Sequence, residues 1–338
     1  MVSMKDIANH CGVSVATVSK ALSGQTDIGQ ATREKIIAAA KELGYTGNYV
    51  ARALKTNRTY NLGIVFEDLQ NSGFMHEYFA AILNSFRFEA ERFGYDITFL
   101  NRGVGGEGTS YLQHALYRAV DGVALICADF FSPQVQELVS SDIPVVTLDH
   151  AFNNRTAVLS DNIIGMETLV RYAYEKGHRK IAYIRGNPTA VTENRLTGFY
   201  RTCEELGLNI PDEYMMECEY HEPRGCSEAT KKLLALRDRP TCILFSDDYS
   251  GIGGINAILE AGLHIPEDIS IMGYDGIHLA GMLSPRLTTW RQNADDLGKI
   301  AAEKLVLRIE NPRTTPAEYI VVKGQLLEGG TVRQIDGQ

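Results

Sequence analysis

SMKDIANHCGVSVATVSKALSG (residues 3–24) reads as two short helices joined by a tight turn. Ser3 can cap a helix, with Asp6 in its first turn. Ile7, Ala8 and Cys11 form an apolar stripe, and Gly12 can take the left-handed conformation that ends the helix. Ser14 can then cap a second helix over residues 15–22, stopping at Ser23-Gly24, with Val13 filling the angle between the two. A third helix is predicted over residues 30–43, where Ile36, Ile37, Ala40 and Leu43 have helical spacing and Gly44 follows. Ile7, Val13, Val18, Leu22, Ile36 and Leu43 are enough for a minimal three-helix core. The pattern is that of a helix-turn-helix, whose second helix enters the major groove of DNA.

Charge points the same way. Residues 1–60 carry eight Lys/Arg against four Asp/Glu, whereas the whole chain of 338 residues carries 33 against 42 and a net charge of −9. A basic head on an acidic body fits a polyanion-binding module joined to a unit of another function. The length calls for more than one hydrophobic core. No apolar run approaches bilayer length and no export signal is visible, so a cytoplasmic location is expected. The six cysteines, at 11, 127, 203, 218, 226 and 242, show no CxxC spacing, and neither a disulfide framework nor a metal site is expected.

VSVATVSKALSG (13–24) followed by TREKIIAAAKELGYTGNYVARALKT (32–56) resembles the head of the lactose/galactose repressor (LacI/GalR-type) family of bacterial transcription regulators. The resemblance implies a helix-turn-helix DNA-binding domain over residues 1–47, a hinge helix and linker over 48–59, and an effector-binding and dimerisation domain over 60–338. It assigns base reading to Val15, Ala16 and Lys20. Val15 and Ala16 are small and apolar, suited to thymine methyl groups, and Lys20 can donate to guanine. Lys stands where many relatives have Arg, without the bidentate fork. Ser14, Thr17 and Ser19 are candidates for phosphate contacts. In the hinge, the resemblance implies that Asn48, Val50, Arg52, Ala53, Leu54 and Lys55 form a short helix in the minor groove. Leu54 wedges into a central base step, and Val50 and Ala53 pack near the dimer axis. Gly47 replaces the family's usual Pro and makes that hinge more expensive to order.

The body alternates apolar runs with amphipathic helical patterns. Strands are predicted at 61–66, 96–100, 123–127 and 144–148, and again at 180–185, 215–219, 242–245 and 269–273. Helices, among them 77–93, 193–206 and 294–309, lie between. Such alternation builds doubly wound parallel sheets. Two sets imply two lobes, and the resemblance makes them lobes of the periplasmic-binding-protein type: about 60–161 with 293–324, and 162–292 with 325–338. Enzyme chemistry finds no support. The first strand runs into Phe66-Glu67-Asp68-Leu69, which would repel a pyrophosphate. The glycines at 103, 105 and 106 and at 251, 253 and 254 lack nucleotide-binding spacing, and HExxH and GxSxG motifs are absent. No cofactor is expected.

Ligands of such folds bind outside the carboxyl ends of the strands. Asp149, Asp247, Asp248 and Asp275 end strands there, and Arg195 opens a helix. The resemblance places Asp149, Arg195, Asp247 and Asp275 in the effector cleft, with Asp248 structural. Carboxylates with one guanidinium suit a neutral sugar better than a phosphorylated one. Phe74, Tyr78, Phe79 and Tyr220 are candidates for stacking on it, with Trp290 a further aromatic, and His150 and His76 candidates for a hydroxyl contact. The expected protein is a dimeric repressor of a pseudo-palindromic operator, controlled by a small effector. A purine or nucleoside effector and a solute-binding receptor are the alternatives. The C-terminal residues lack apolar heptads, so a dimer is favoured over a tetramer.

Overall fold

A computed structural model describes residues 2–22, 27–45, 58–67, 73–103 and 108–335. The chain divides into two units, Met1–Thr59 and Tyr60–Gln338. The hinge candidates Asn48, Val50, Arg52, Ala53, Leu54 and Lys55 lie outside the described residues.

The head has helices α1 (Met4–Cys11), α2 (Val15–Leu22) and α3 (Gln30–Glu42). Ser3 and Asp6 form a reciprocal capping box: the Asp6 carboxylate accepts the Ser3 N–H at 2.8 Å, and Ser3 Oγ accepts the Asp6 N–H. Gly12 closes α1 at φ 68°. Ser14 Oγ accepts the Thr17 N–H at 3.1 Å and so opens α2. Ile7, Ala8, Cys11, Val18, Ala21, Ile36, Ala39 and Ala40 are buried, with Val13, Leu22 and Leu43 half-buried against them. Ile37, counted among the helically spaced apolar positions but not in the predicted core, is 49% exposed. The buried face of α3 runs through 36, 39, 40 and 43, and the neighbour of a core residue points about 100° away from it.

The body has two six-stranded sheets. The first takes β1 (Asn61–Phe66), β2 (Asp96–Phe99), β3 (Gly122–Cys127), β4 (Val145–Leu148), β5 (Thr156–Ser160) and β11 (Tyr319–Val322), in the order β11-β5-β4-β3-β1-β2. The second takes β6 (Ile181–Arg185), β7 (Met215–Glu217), β8 (Cys242–Phe245), β9 (Ser270–Asp275), β10 (Thr288–Arg291) and β12 (Gln325–Leu327), in the order β12-β10-β9-β8-β6-β7. All pairs are parallel except β10 with β12. The expected architecture of two doubly wound α/β lobes behind a helix-turn-helix is therefore what forms. The chain passes between the sheets three times: after β5, after β10 and between β11 and β12.

Crossover helices cover the sheets. The first lobe carries α4 (Glu77–Arg92), α5 (Tyr111–Tyr117) and α6 (Pro133–Ser140). The second carries α7 (Asn162–Glu175), α8 (Ala190–Glu205), α9 (Pro223–Leu234), α10 (Asp248–Glu260) and α11 (His278–Met282), and α12 (Ala294–Glu310) returns to the first. α4 and α12 approach so closely that a side chain at Gly298 would strike the Ile82 carbonyl and stand 2.9 Å from the Phe86 nitrogen. Four strands, β5, β10, β11 and β12, are additional to those read from the sequence. β10 hides because its interior is polar: Thr288 and Thr289 are buried, and the Thr289 hydroxyl donates to Asp248 at 2.6 Å. β11 is an apolar run, YIVV, but it lies at the sheet edge with Tyr319 and Val321 exposed, and it was not among the strands read from the sequence.

Candidate functional site

A cavity of about 270 Å³ opens between the carboxyl ends of the two sheets. Asp149 follows β4 and Asp275 ends β9, so each lobe contributes one carboxylate, Asp149 half-buried and Asp275 buried. Both acids sit at positive φ, 51° and 102°. Asp tolerates that region better than most side chains, and strained backbone of this kind clusters at functional sites. Tyr78 and Phe79 reach the cavity from the first turn of α4, and Arg195 from α8.

Hydrogen bonds join these groups across the lobes. Asp149 accepts the Ser160 N–H at 2.6 Å, the Ser160 hydroxyl at 3.2 Å and the Tyr78 hydroxyl at 3.3 Å. Tyr78 also lies 3.5 Å from Gln292 Oε1, and Gln292 Nε2 donates to Asp275 Oδ1 at 2.6 Å. Arg195 is fully enclosed. Its Nε donates to Asn162 Oδ1 at 2.8 Å and its Nη1 to the Ser246 carbonyl at 2.7 Å. Its guanidinium lies 3.5 Å over the Tyr274 ring, and Nη2 is 3.9 Å from Asp275. Burial raises the Asp275 pKa to about 7. Arg195 and Gln292 oppose the rise, and the charges of Asp247 and Asp149 add to it. Burial also raises Asp149, against the Ser160 donors, Arg195 and Tyr78.

Seven of the nine candidates for effector contact line the cavity: Tyr78, Phe79, Asp149, His150, Arg195, Tyr220 and Asp275. Phe74 and Asp247 do not. Phe74 packs outside the cavity on Phe66 and Phe99, at 5.8 and 5.1 Å between ring centroids. Asp247 caps α10 instead. Its carboxylate accepts from the Ser250 N–H at 2.7 Å, the Ser250 and Ser246 hydroxyls at 2.7 and 3.0 Å, and the His221 N–H at 3.2 Å. Burial works against its charge, but His221 and these donors hold its pKa below the usual value. Asp248, read as structural, accepts from Thr289 and from the Ile277 N–H at 3.0 Å. Trp290 is buried in the core, and His76 stands beside the cavity, its ring on His221.

Gln292, Phe130, Phe131, Asn187, Thr189 and His221 also line the cavity and were missed. Phe130 stacks on His150 at 4.6 Å and 4°, giving a flat apolar wall. Gln292 lies in the segment between β10 and α12 that passes from one lobe to the other, where no local motif marks it. Gln292→Leu is expected to weaken ligand binding at least about tenfold, because it leaves Asp275 and Tyr78 without this bridge. A calorimetric titration against the wild type measures it; equal affinity would remove Gln292 from the site.

On the head, Val15 is 45% exposed, Ala16 is exposed, and Val18 and Ala21 are buried beneath them. Lys20 is exposed and pairs with Asp27 at 2.5 Å. Ser14 and Thr17 bond each other at 2.8 Å as a local cap, and Ser19 is half-buried.

A helix-turn-helix head with a two-lobed body whose cleft is lined by convergent polar groups defines a ligand-responsive DNA-binding regulator. Comparison with known proteins agrees. Residues 3–48 match the family of bacterial regulatory proteins described as lacI, and residues 170–332 match the periplasmic binding protein-like domain. The chain is 32% identical over 317 residues to the ribose operon repressor of Haemophilus influenzae, covering 92% of this chain and 93% of that protein. It is 32% identical over 314 residues to the HTH-type transcriptional repressor PurR of Pasteurella multocida, covering 91% and 92%. A solved structure of the lac repressor dimer, bound to operator and the anti-inducer ONPF, superposes with a TM-score of 0.82 at 22% identity, over 98% of this chain and 99% of that one. The chain belongs to the lacI family of transcription regulators. Among the described residues, no helix is long and apolar enough to cross a membrane.

Proposed function

We propose that this protein is a dimeric repressor that binds a pseudo-palindromic operator and whose operator affinity is set by a small neutral sugar held in the interlobe cavity. The observation that carries the sugar reading is the pair of carboxylates that line the cavity from the two lobes, half-buried Asp149 and buried Asp275, with the Arg195 guanidinium beside Asp275. Carboxylates accept from hydroxyls, the guanidinium donates to ring or hydroxyl oxygens, and Glu67 and Asp129 in the lining add to the repulsion of phosphate. Phe79, Phe130 and Tyr220 supply apolar faces for the ring carbons. The volume lies at the small end of ligand pockets, which fits a monosaccharide.

On this reading, effector contacts differ between two degrees of lobe closure, and that difference couples the cleft to the operator. Coupling of this type is about 1–3 kcal/mol. Val15, Ala16 and Lys20 read bases, with Ser14, Thr17 and Ser19 near the backbone. Asn48, Val50, Arg52, Ala53, Leu54 and Lys55 contribute the minor-groove hinge, with Leu54 as the wedge. Lys20 must leave Asp27 to reach guanine. Because the pair is solvent-exposed, breaking it costs little. Lys20→Ala is expected to reduce affinity for the specific operator about tenfold and to reduce non-specific binding much less. Fluorescence anisotropy with specific and scrambled duplexes measures both, and an equal loss on the two duplexes would reassign Lys20 to the phosphates.

The test of the effector is thermal unfolding of the full chain against pentoses, hexoses, sugar phosphates and nucleosides, followed by operator titration with any hit. Ligand at a hundred times its dissociation constant adds about 2.7 kcal/mol, a shift of several degrees. A shift with a neutral sugar that is lost in Asp275→Ala supports the reading. A shift only with nucleosides or purine bases would show that the aromatic walls, not the acids, select the ligand.

A further inference from the structure

Beside the polar network, the side chains of His76, His221 and Asp275 bring donor atoms within 4.8 Å of one another. His76 immediately precedes α4 in the first lobe, while His221 follows β7 and Asp275 ends β9 in the second. The two imidazoles, from opposite lobes, stand 3.7 Å apart between centroids at 37°. Aromatic pairs usually keep about 4.5–7 Å, so the side chains are crowded together here. His221 sits at φ 58° and Asp275 at φ 102°, so both loops hold unfavourable backbone while presenting these groups.

We propose that His76, His221 and Asp275 form a divalent transition-metal site that ties the two lobes together. Imidazole nitrogen and carboxylate oxygen suit Zn²⁺, Co²⁺ or Ni²⁺. Ligands of a tetrahedral Zn²⁺ lie about 2.0–2.2 Å from the ion, which puts them a little over 3 Å from one another. Donors already within 4.8 Å need only modest side-chain rotation to reach that geometry. The surroundings fit a metal site as well. The Gln292 amide orients Asp275 at 2.6 Å, and the Asp247 carboxylate accepts the backbone N–H of His221 at 3.2 Å, which fixes the loop that carries the imidazole. Phe79 packs edge-on to His221 at 5.7 Å, and Tyr249 edge-on to His76 at 6.2 Å, which holds the two imidazoles in place. The remaining coordination positions are open to water or to a hydroxyl of whatever ligand fills the cleft. The site does not depend on which effector that is. Its ligands lie far apart in the sequence, so motif spacing does not reveal it, and the expectation of no metal rested on the cysteines alone.

The experiment is a titration of the full-length protein, stripped by chelator, with CoCl₂ followed by calorimetry and visible absorption, in parallel with His76→Gln, His221→Gln and the surface control His264→Gln. His264 pairs with Asp268 at 3.1 Å in the exposed turn between α10 and β9 and probes adventitious binding. The expected result is one Co²⁺ per chain with the intense visible bands of a low-coordinate ion. Affinity is expected to fall about 100-fold or more in the two cleft variants and to hold in the control, since even outer-shell losses cost about 10–100-fold. X-ray absorption of the Zn²⁺-loaded wild type, which needs no variant to fold, should show two imidazoles and no sulfur. Three results would overturn the site: no binding, wild-type affinity in the cleft variants, or sulfur in the shell, which would hand the ion to Cys218 and Cys226.

Discussion

Arg195→Ala is expected to abolish the effector response while leaving operator affinity, measured without effector, within about twofold of wild type. Arg195 is 3% exposed and satisfies the Asn162 amide oxygen, the Ser246 carbonyl and, at 3.9 Å, the Asp275 carboxylate. Removing one partner of a buried charged network costs about 3–5 kcal/mol, because the groups left behind stay buried and unmatched. At 1.4 kcal/mol per decade, the same loss expressed in ligand binding is at least about a hundredfold. Lysine is not expected to rescue it. The planar guanidinium lies 3.5 Å over the Tyr274 ring and reaches two acceptors at once, which a point ammonium cannot do. Arg195→Met keeps most of the packing and separates stability from recognition. It should unfold at a higher temperature than the alanine variant and still bind no effector. Wild-type effector affinity in either variant, measured by calorimetry, would remove Arg195 from the site and leave it as a strut of the second lobe.

The head was legible almost to the residue because its signals are local. Caps at Ser3 and Ser14, a left-handed Gly12 and apolar residues at helical spacing each act within a turn or two of the chain. Ile37, apolar but off the buried stripe of α3, is exposed while its neighbour Ile36 is buried, because a helix has one buried face. In the body, central strands announced themselves as apolar runs. β10 did not, because its interior is filled by threonines whose hydroxyls are satisfied by Asp248 and Gly329, a tertiary pairing that sequence spacing does not carry. The site divides along the same line. Residues at strand ends, Asp149 and Asp275, were found because the fold class says where strand ends meet. Asp247 also stands at a strand end, yet its carboxylate is consumed by capping α10, a use that the same position and residue type permit equally well. Gln292, Phe130 and His221 come from connecting segments, where neither periodicity nor a motif constrains which residues turn inward.

His178 is expected to make the protein labile to mild acid. It is fully buried at the edge of the second lobe, and its Nδ1 lies 2.9 Å from the Thr241 hydroxyl. That hydroxyl is also 3.2 Å from the Lys180 carbonyl, to which it donates, so Nδ1 acts as the donor to Thr241. Burial, with the nearby charges of Arg333 and Arg179 and against the Arg333 backbone, lowers the His178 pKa to about 4. An ordinary histidine titrates near 6.5. Between these two values the unfolded chain binds a proton that the folded chain refuses, so folding stability falls as pH drops through this window and is unaffected by this group above it. The gap corresponds to about 3 kcal/mol at the acid end, a sizeable part of the 5–15 kcal/mol that holds a typical domain together. His178→Gln can keep a donor to Thr241 but cannot titrate. Denaturant melts of both proteins between pH 7.5 and pH 4.5 should therefore converge or cross as pH falls, wild type losing most of that increment relative to the variant. Carboxylates that titrate in the same range cancel in this comparison. A difference that stays constant with pH would mean that His178 takes up its proton in the folded state, and that acid sensitivity originates elsewhere in the molecule.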